Sequence, residues 1–199
     1  MKTSSVKQVL DGSELRYVEA GSGSGVILLQ GALNGPLADR LSESFRVVTL
    51  EVRDFHNRQR LAEALSRVTV ELGIAQYCLI ADSELATTAI AHTIASGDLV
   101  EALILLAPSC PSSGADIDLP LEELKAPTLV LFGTRDQVVK PETGRIYARR
   151  LPKCFYTLVY DAGHDIGADR PQALLAVVRD FLEHREKFLV PHGSSVINP

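Results

Sequence analysis

Thr128-Leu129-Val130-Leu131-Phe132-Gly133-Thr134-Arg135-Asp136 runs apolar from Leu129 to Phe132, then turns polar at a glycine and ends on a carboxylate. An apolar run without alternation, short and rich in Val, Leu and Phe, reads as a strand buried on both faces, the pattern of a parallel sheet. Working outward, Val26-Ile27-Leu28-Leu29 and Val100-Glu101-Ala102-Leu103-Ile104-Leu105-Leu106 read the same way. Strands are expected near 5–10, 14–19, 25–30, 46–51, 77–81, 101–106, 127–132 and 154–160. Asp11-Gly12 lies between the first two and signals a hairpin, so the sheet is expected to open on an antiparallel pair.

Helical periodicity occupies the gaps. Leu61, Leu65, Val68 and Leu72 share one face of a helix, and Leu174, Val177, Val178, Phe181 and Leu182 share another. Pro171 opens the helix expected over 171–187, and a further helix is expected over 141–151. Strand and helix alternate throughout, which predicts an α/β fold: a three-layer sandwich with a mostly parallel, eight-stranded sheet and helices on both faces. Residues 1–190 are expected to form one domain. The tail 191–199 carries no periodic pattern and is expected to be irregular. Gly21-Ser22-Gly23-Ser24-Gly25 is too short for a domain linker and reads as a turn.

Composition narrows the class of function. The 199 residues carry a formal charge of -5, with 20 basic residues scattered along the chain, so no nucleic-acid footprint is expected. No apolar run has the length of a membrane span and Met1-Lys2-Thr3-Ser4-Ser5 has no secretory pattern, so a cytoplasmic protein without membrane contact is expected. Cys78, Cys110 and Cys154 form neither a CxxC nor a Cys/His array, which argues against disulfides and zinc. Cys78 and Cys154 read as small buried hydrophobes, and Cys110 falls in a loop. No metal or cofactor is expected.

In an open α/β sheet, reactive groups gather beyond the carboxyl ends of the strands. Those positions hold Asp82-Ser83-Glu84, Gly133-Thr134-Arg135-Asp136 and Asp161-Ala162-Gly163-His164-Asp165. A hydroxyl, a carboxylate and an imidazole at three strand ends are the parts of a nucleophilic triad, in which the imidazole takes the serine proton and the carboxylate orients the imidazole. Ser83, His164 and Asp136 are the candidates. The bland readings are a helix N-cap for Ser83 and a turn carboxylate for Asp136. Asp161 and Asp165 are the alternates for the acid. His92, His184 and His192 read as surface or packing residues, and His56 as a solvated loop residue.

Order and context resemble the α/β-hydrolase superfamily over residues 5–187. Tyr77-Cys78-Leu79-Ile80-Ala81-Asp82-Ser83-Glu84-Leu85-Ala86 falls where that family has its nucleophile elbow. Leu131 to Asp136, followed by Gln137-Val138-Val139-Lys140-Pro141, looks like its acid loop, and Ala162-Gly163-His164-Asp165 like its histidine loop. The resemblance implies an oxyanion hole from the backbone N–H groups of Glu84 and Ala32. It also implies carboxylesterase or thioesterase activity on a small-molecule or carrier-bound acyl substrate. The chain departs from the family in three places. The pattern G-x-S-x-G reads Ala81-Asp82-Ser83-Glu84-Leu85; the usual His-Gly reads Gln30-Gly31; and only Ser109 to Lys125 separates the sixth strand from the acid-bearing one, too short for a cap domain. Leu85 must either push its helix outward or turn into the core. His164-Asp165-Ile166-Gly167 resembles the histidine loop of acyl-transferring thioesterases from luminescence operons. Without a cap the site is expected to be open and shallow, with a homo-oligomer as one way to cover it. The competing reading is a degenerate hydrolase fold serving as a binding or partner module, favoured by Leu85, Gln30 and the acidic neighbours of Ser83.

Overall fold

The computed structural model describes residues 3–9, 13–30, 35–51, 58–109, 119–188 and 195–197, with side chains described from residue 16 to 188 apart from 58 and the gaps between segments. The strands are β1 (Thr3–Val9), β2 (Ser13–Ala20), β3 (Gly25–Gln30), β4 (Arg46–Glu51), β5 (Tyr77–Asp82), β6 (Val100–Leu106), β7 (Thr128–Gly133), β8 (Cys154–Val159) and β9 (Ser195–Ile197). The helices are α1 (Pro36–Leu41), α2 (Arg58–Glu71), α3 (Ala86–Ser96), α4 (Gly144–Arg150), α5 (Ile166–Asp169) and α6 (Pro171–His184).

All the strands join one sheet in the order β1-β2-β4-β3-β5-β6-β7-β8-β9. β2 runs antiparallel to both β1 and β4, and every other pairing is parallel. The antiparallel opening agrees with the hairpin signal, although Asp11-Gly12 itself lies outside the described residues. Among the described residues the sheet has nine strands, not eight. Ser195–Ile197, within the tail expected to be irregular, pairs in parallel with Thr157–Val159 at the edge. Its three residues are too few to carry a periodic signal, so the pairing comes from the exposed edge of β8 and not from local pattern.

Alternate strand residues feed two cores, which is why the sequence shows apolar runs without alternation. Ile27, Leu29, Val48, Leu50, Leu79, Leu103, Leu105, Val130 and Phe132 pack with α2, α3 and α4. Val26, Leu28, Val47, Cys78, Ile80, Ile104, Leu129 and Leu131 pack with α1 and α6. Leu61, Leu65 and Val68 of α2 are buried together, as are Leu174, Val177, Val178, Phe181 and Leu182 of α6. The helix expected over 141–151 starts as a 3₁₀ turn, Pro141–Thr143, before α4. The helix expected over 171–187 ends at His184, where Arg185 takes φ +49° and a 3₁₀ turn follows. Parallel strands β3 to β8 place the ends of β3, β5, β6, β7 and β8 along one edge, and the loops carrying Ser83, Asp136 and His164 all leave from it.

Candidate active site

At the end of β5 the chain turns sharply. Ser83 has φ +27°, a region that L-residues rarely adopt, and it starts a 3₁₀ turn, Ser83–Leu85, that continues into α3. The turn is held from the loop after β6: the backbone N–H and the hydroxyl of Ser109 both donate to the Ser83 carbonyl at 3.2 Å. The Tyr147 hydroxyl in turn donates to the Ser109 carbonyl at 3.4 Å. Ala81 is fully buried, and Leu85 packs against the core on the α2, α3 and α4 side. Of the two outcomes foreseen for Leu85, it therefore takes the core.

Asp136 follows β7 in a turn whose geometry fixes both of its oxygens. Oδ1 accepts the backbone N–H groups of Val138 at 2.8 Å and Val139 at 2.9 Å. Oδ2 lies 2.9 Å from His164 Nδ1, and the Asp136 side chain is fully buried. A carboxylate so saturated by donors stays in one rotamer and aims its second oxygen at the ring.

His164 leaves β8 through Asp161, at φ +60°, and hydrogen bonds stitch this loop to the acid loop. The Arg135 N–H donates to the Ala162 carbonyl at 2.8 Å, the Thr134 N–H to the Val159 carbonyl at 3.0 Å, and the Asp161 N–H to the Thr134 hydroxyl at 2.9 Å. Gly133 permits the approach, since a Cβ there would sit 2.2 Å from the Gly163 carbonyl oxygen and 2.3 Å from that of Ala162. Asp169 accepts the Gly163 N–H at 2.7 Å, which fixes the residue before His164.

The ring then bridges the site, with Nε2 lying 3.1 Å from Ser83 Oγ. Nδ1 facing a carboxylate assigns its proton there and leaves Nε2 free to accept from the serine hydroxyl. The three candidates thus meet across loops from β5, β7 and β8. The alternate acids are occupied elsewhere: Asp161 pairs with Arg135 at 3.1 Å, and Asp165 caps α5 by accepting the Ala168 N–H at 2.9 Å.

Of the expected oxyanion donors, Glu84 follows Ser83 in the 3₁₀ turn with its side chain exposed to solvent. Ala32 lies outside the described residues, as do His56, His192 and Cys110. Asp82 differs from Glu84: burial pushes its carboxyl above the ordinary aspartate range, Asp165 and Glu84 push the same way, and its own backbone hydrogen bond and His164 oppose. Cys78 is buried and Cys154 partly so, and burial pushes their thiols up to about 11 and about 12, so both are inert at neutral pH. His184 is exposed beside Asp180, whereas His92 is buried. Among the described residues, no group of three His, Cys, Asp or Glu is arranged to hold a metal ion, and no helix is long and apolar enough to cross a membrane.

The hydroxyl of Ser83 and the ring of His164 open into a cavity of about 750 Å³. This corrects the expectation of a shallow surface. Cap length is the wrong guide here, because α1, α5 and the start of α6 supply the walls. Ser109, Thr134 and Asp169, the residues that hold the three loops, escape a reading of the sequence. Only Thr134 and Asp169 had a local signal, as polar side chains close to the acid and histidine motifs.

The fold that carries this site, a mostly parallel sheet with helices on both faces, recurs in solved structures. The chain has the α/β-hydrolase fold. A serine hydrolase involved in carbazole degradation superposes with a TM-score of 0.78 at 17% identity, covering 93% of this chain and 100% of that one. A carboxylesterase from Bacillus subtilis gives 0.77 at 14% identity, covering 92% of each chain. A thermophilic esterase from Thermogutta terrifontis gives 0.74 at 19% identity, covering 92% of this chain and 98% of that one. No family model matches the sequence. The identities are low because the α/β-hydrolase fold asks for patterned burial and a few loop geometries, which many sequences satisfy.

Proposed function

We propose that this chain is a serine hydrolase that cleaves or transfers the acyl group of an ester or thioester. The observation that carries the reading is the unbroken line from Asp136 Oδ2 to His164 Nδ1 at 2.9 Å and from His164 Nε2 to Ser83 Oγ at 3.1 Å, opening into a cavity. Ser83 Oγ attacks the acyl carbon while His164 Nε2 takes its proton, and Asp136 stabilises the imidazolium that forms. The carbonyl oxygen becomes an oxyanion, for which the Glu84 and Ala32 N–H groups are the proposed donors. As the intermediate collapses, the carbon–oxygen or carbon–sulfur bond breaks, and His164 returns the proton to the leaving alcohol or thiol. Water, deprotonated by the same ring, then attacks the Ser83 ester, releasing the carboxylic acid and restoring the serine.

The competing reading, a binding module on a degenerate hydrolase fold, draws on Asp82, a carboxyl beside Ser83 that opposes an oxyanion when it is ionised. Turnover of paired p-nitrophenyl esters and acyl thioesters, with the acyl-enzyme trapped and mapped by mass spectrometry, separates the two. Acyl transfer onto Ser83 that is lost in His164→Ala supports the hydrolase; a folded protein that never carries an acyl group supports the module.

A further inference from the structure

The cavity that meets Ser83 has an unequal lining. Leu37 of α1, Leu106 at the end of β6, Ile166 of α5, and Leu174 and Leu175 of α6 give it aliphatic walls. Apart from His164, three of its side chains bear charge, and two of these are engaged. Asp165 caps α5, and Arg40 is largely exposed and bonds Glu43 at 3.2 Å, so its charge is turned to solvent. Asp82 is the third. It stands next to the nucleophile, half-buried, and makes no side-chain hydrogen bond to the turn it precedes.

On the hydrolase reading, we propose that this cavity is the acyl pocket, that it takes an uncharged aliphatic acyl group, and that Asp82 is the residue that excludes acyl groups ending in a carboxylate. Three features support this. Aliphatic walls reward aliphatic surface and offer few polar partners. The volume exceeds what an acetyl group fills. The acyl group, moreover, is the part of the substrate that stays on Ser83 through both half-reactions, so it belongs in the space whose wall Ser83 forms, while the leaving group departs toward solvent. A carboxylate carried into the same space would be stripped of water next to the Asp82 carboxyl, and among the described residues the one Lys or Arg in the lining, Arg40, is largely exposed and paired with Glu43.

Isomeric esters read the assignment directly. Ethyl octanoate and octyl acetate share one composition and place the chain on opposite sides of the ester. The native chain is expected to favour ethyl octanoate, with kcat/KM rising about fourfold per methylene along the ethyl alkanoate series until the cavity is full. Leu175→Trp, a partly exposed wall position, is expected to lower the octanoate rate at least about tenfold more than the acetate rate. Monoethyl succinate is expected to react on the order of tenfold more slowly than ethyl butanoate, and Asp82→Asn to erase most of that ratio whatever it does to the common rate.

A small fluorophosphonate probe on the same preparations keeps the two claims apart. If Ser83 labels but the chain series is flat, or octyl acetate is preferred, the acyl pocket is wrong and the hydrolase reading stands. A succinate ratio unchanged in Asp82→Asn removes the role of Asp82. If Ser83 never labels, the hydrolase reading fails, and calorimetric binding of ethyl octanoate to Ser83→Ala decides the cavity. Binding lost on adding Leu175→Trp retains it as an aliphatic site, and no binding overturns it.

Discussion

The acid and histidine loops are tied to each other through backbone hydrogen bonds and a glycine contact, whereas the serine turn is held from outside, by Ser109 on its carbonyl and by the packing of Leu85 and α3. Tyr77 on β5 and His92 on α3 reinforce that second arrangement. The Tyr77 hydroxyl lies 2.5 Å from His92 Nε2, both of them buried, with the partly buried Ser96 hydroxyl at 3.1 Å. The lesson is that one side of the site keeps its geometry through main-chain contacts that need particular residues at particular positions. The other has a main-chain bond from the Ser109 N–H to the Ser83 carbonyl but rests otherwise on side chains, the Ser109 hydroxyl and the packing of Leu85, which many residue combinations satisfy. That is why the first side matches the α/β-hydrolase pattern in sequence and the second departs from it.

Substitutions on each side test this contrast. Asp136→Asn has the largest expected effect. It can keep the acceptor for Val138 and Val139 yet present an amide to His164 Nδ1, which favours the wrong tautomer, so kcat on any ester substrate should fall about 10³- to 10⁴-fold with the thermal midpoint nearly unchanged. Equal losses of stability and activity would mean that Asp136 acts only as a turn residue.

On the serine side, burial lowers the His92 pKa from 6.5 to about 4. The folded state therefore resists protonation that the unfolded state accepts. His92 contributes stability that is fully present above pH 6.5 and is lost as pH falls toward 4, by about 3 kcal/mol in all. Urea unfolding between pH 7 and 4 should show that loss, and His92→Gln should flatten it; an unchanged slope would place the acid sensitivity elsewhere.

Gly133→Ala should cost about 1–3 kcal/mol, because its Cβ would press on the carbonyls of Ala162 and Gly163, and activity should fall further as Asp136 and His164 are driven apart. Leu85→Gly, which restores the family residue, is expected to do the opposite: a loss of about 1–2 kcal/mol in stability, with kcat changing no more than about threefold. A large gain in kcat from Leu85→Gly would show that the departure disables the site instead of packing it.

Much of this was legible in the sequence because burial leaves a pattern. The eight longer strands, the antiparallel opening and the two amphipathic helix faces were readable from apolar runs and periodicity. Ser83, Asp136 and His164 could be named as candidates because each follows such a run, and the structure brings their side chains together. β9 was not, since Ser195–Ile197 is too short to show a period. Ser109, which clamps the serine turn, lies far along the chain from it, and contacts across strands leave no local trace. Nor was the cavity legible, because the short stretch from Ser109 to Lys125 says nothing of the walls that α1, α5 and α6 build.

The most direct test of the central claim is to treat the native chain, Ser83→Ala and His164→Ala with a fluorophosphonate and map the adduct by mass spectrometry. Ser83 Oγ is expected to displace fluoride in the native chain, with no adduct in Ser83→Ala and labelling slowed at least about 10³-fold in His164→Ala. A folded native chain that takes up no probe, or an adduct on another residue that survives both substitutions, would contradict it.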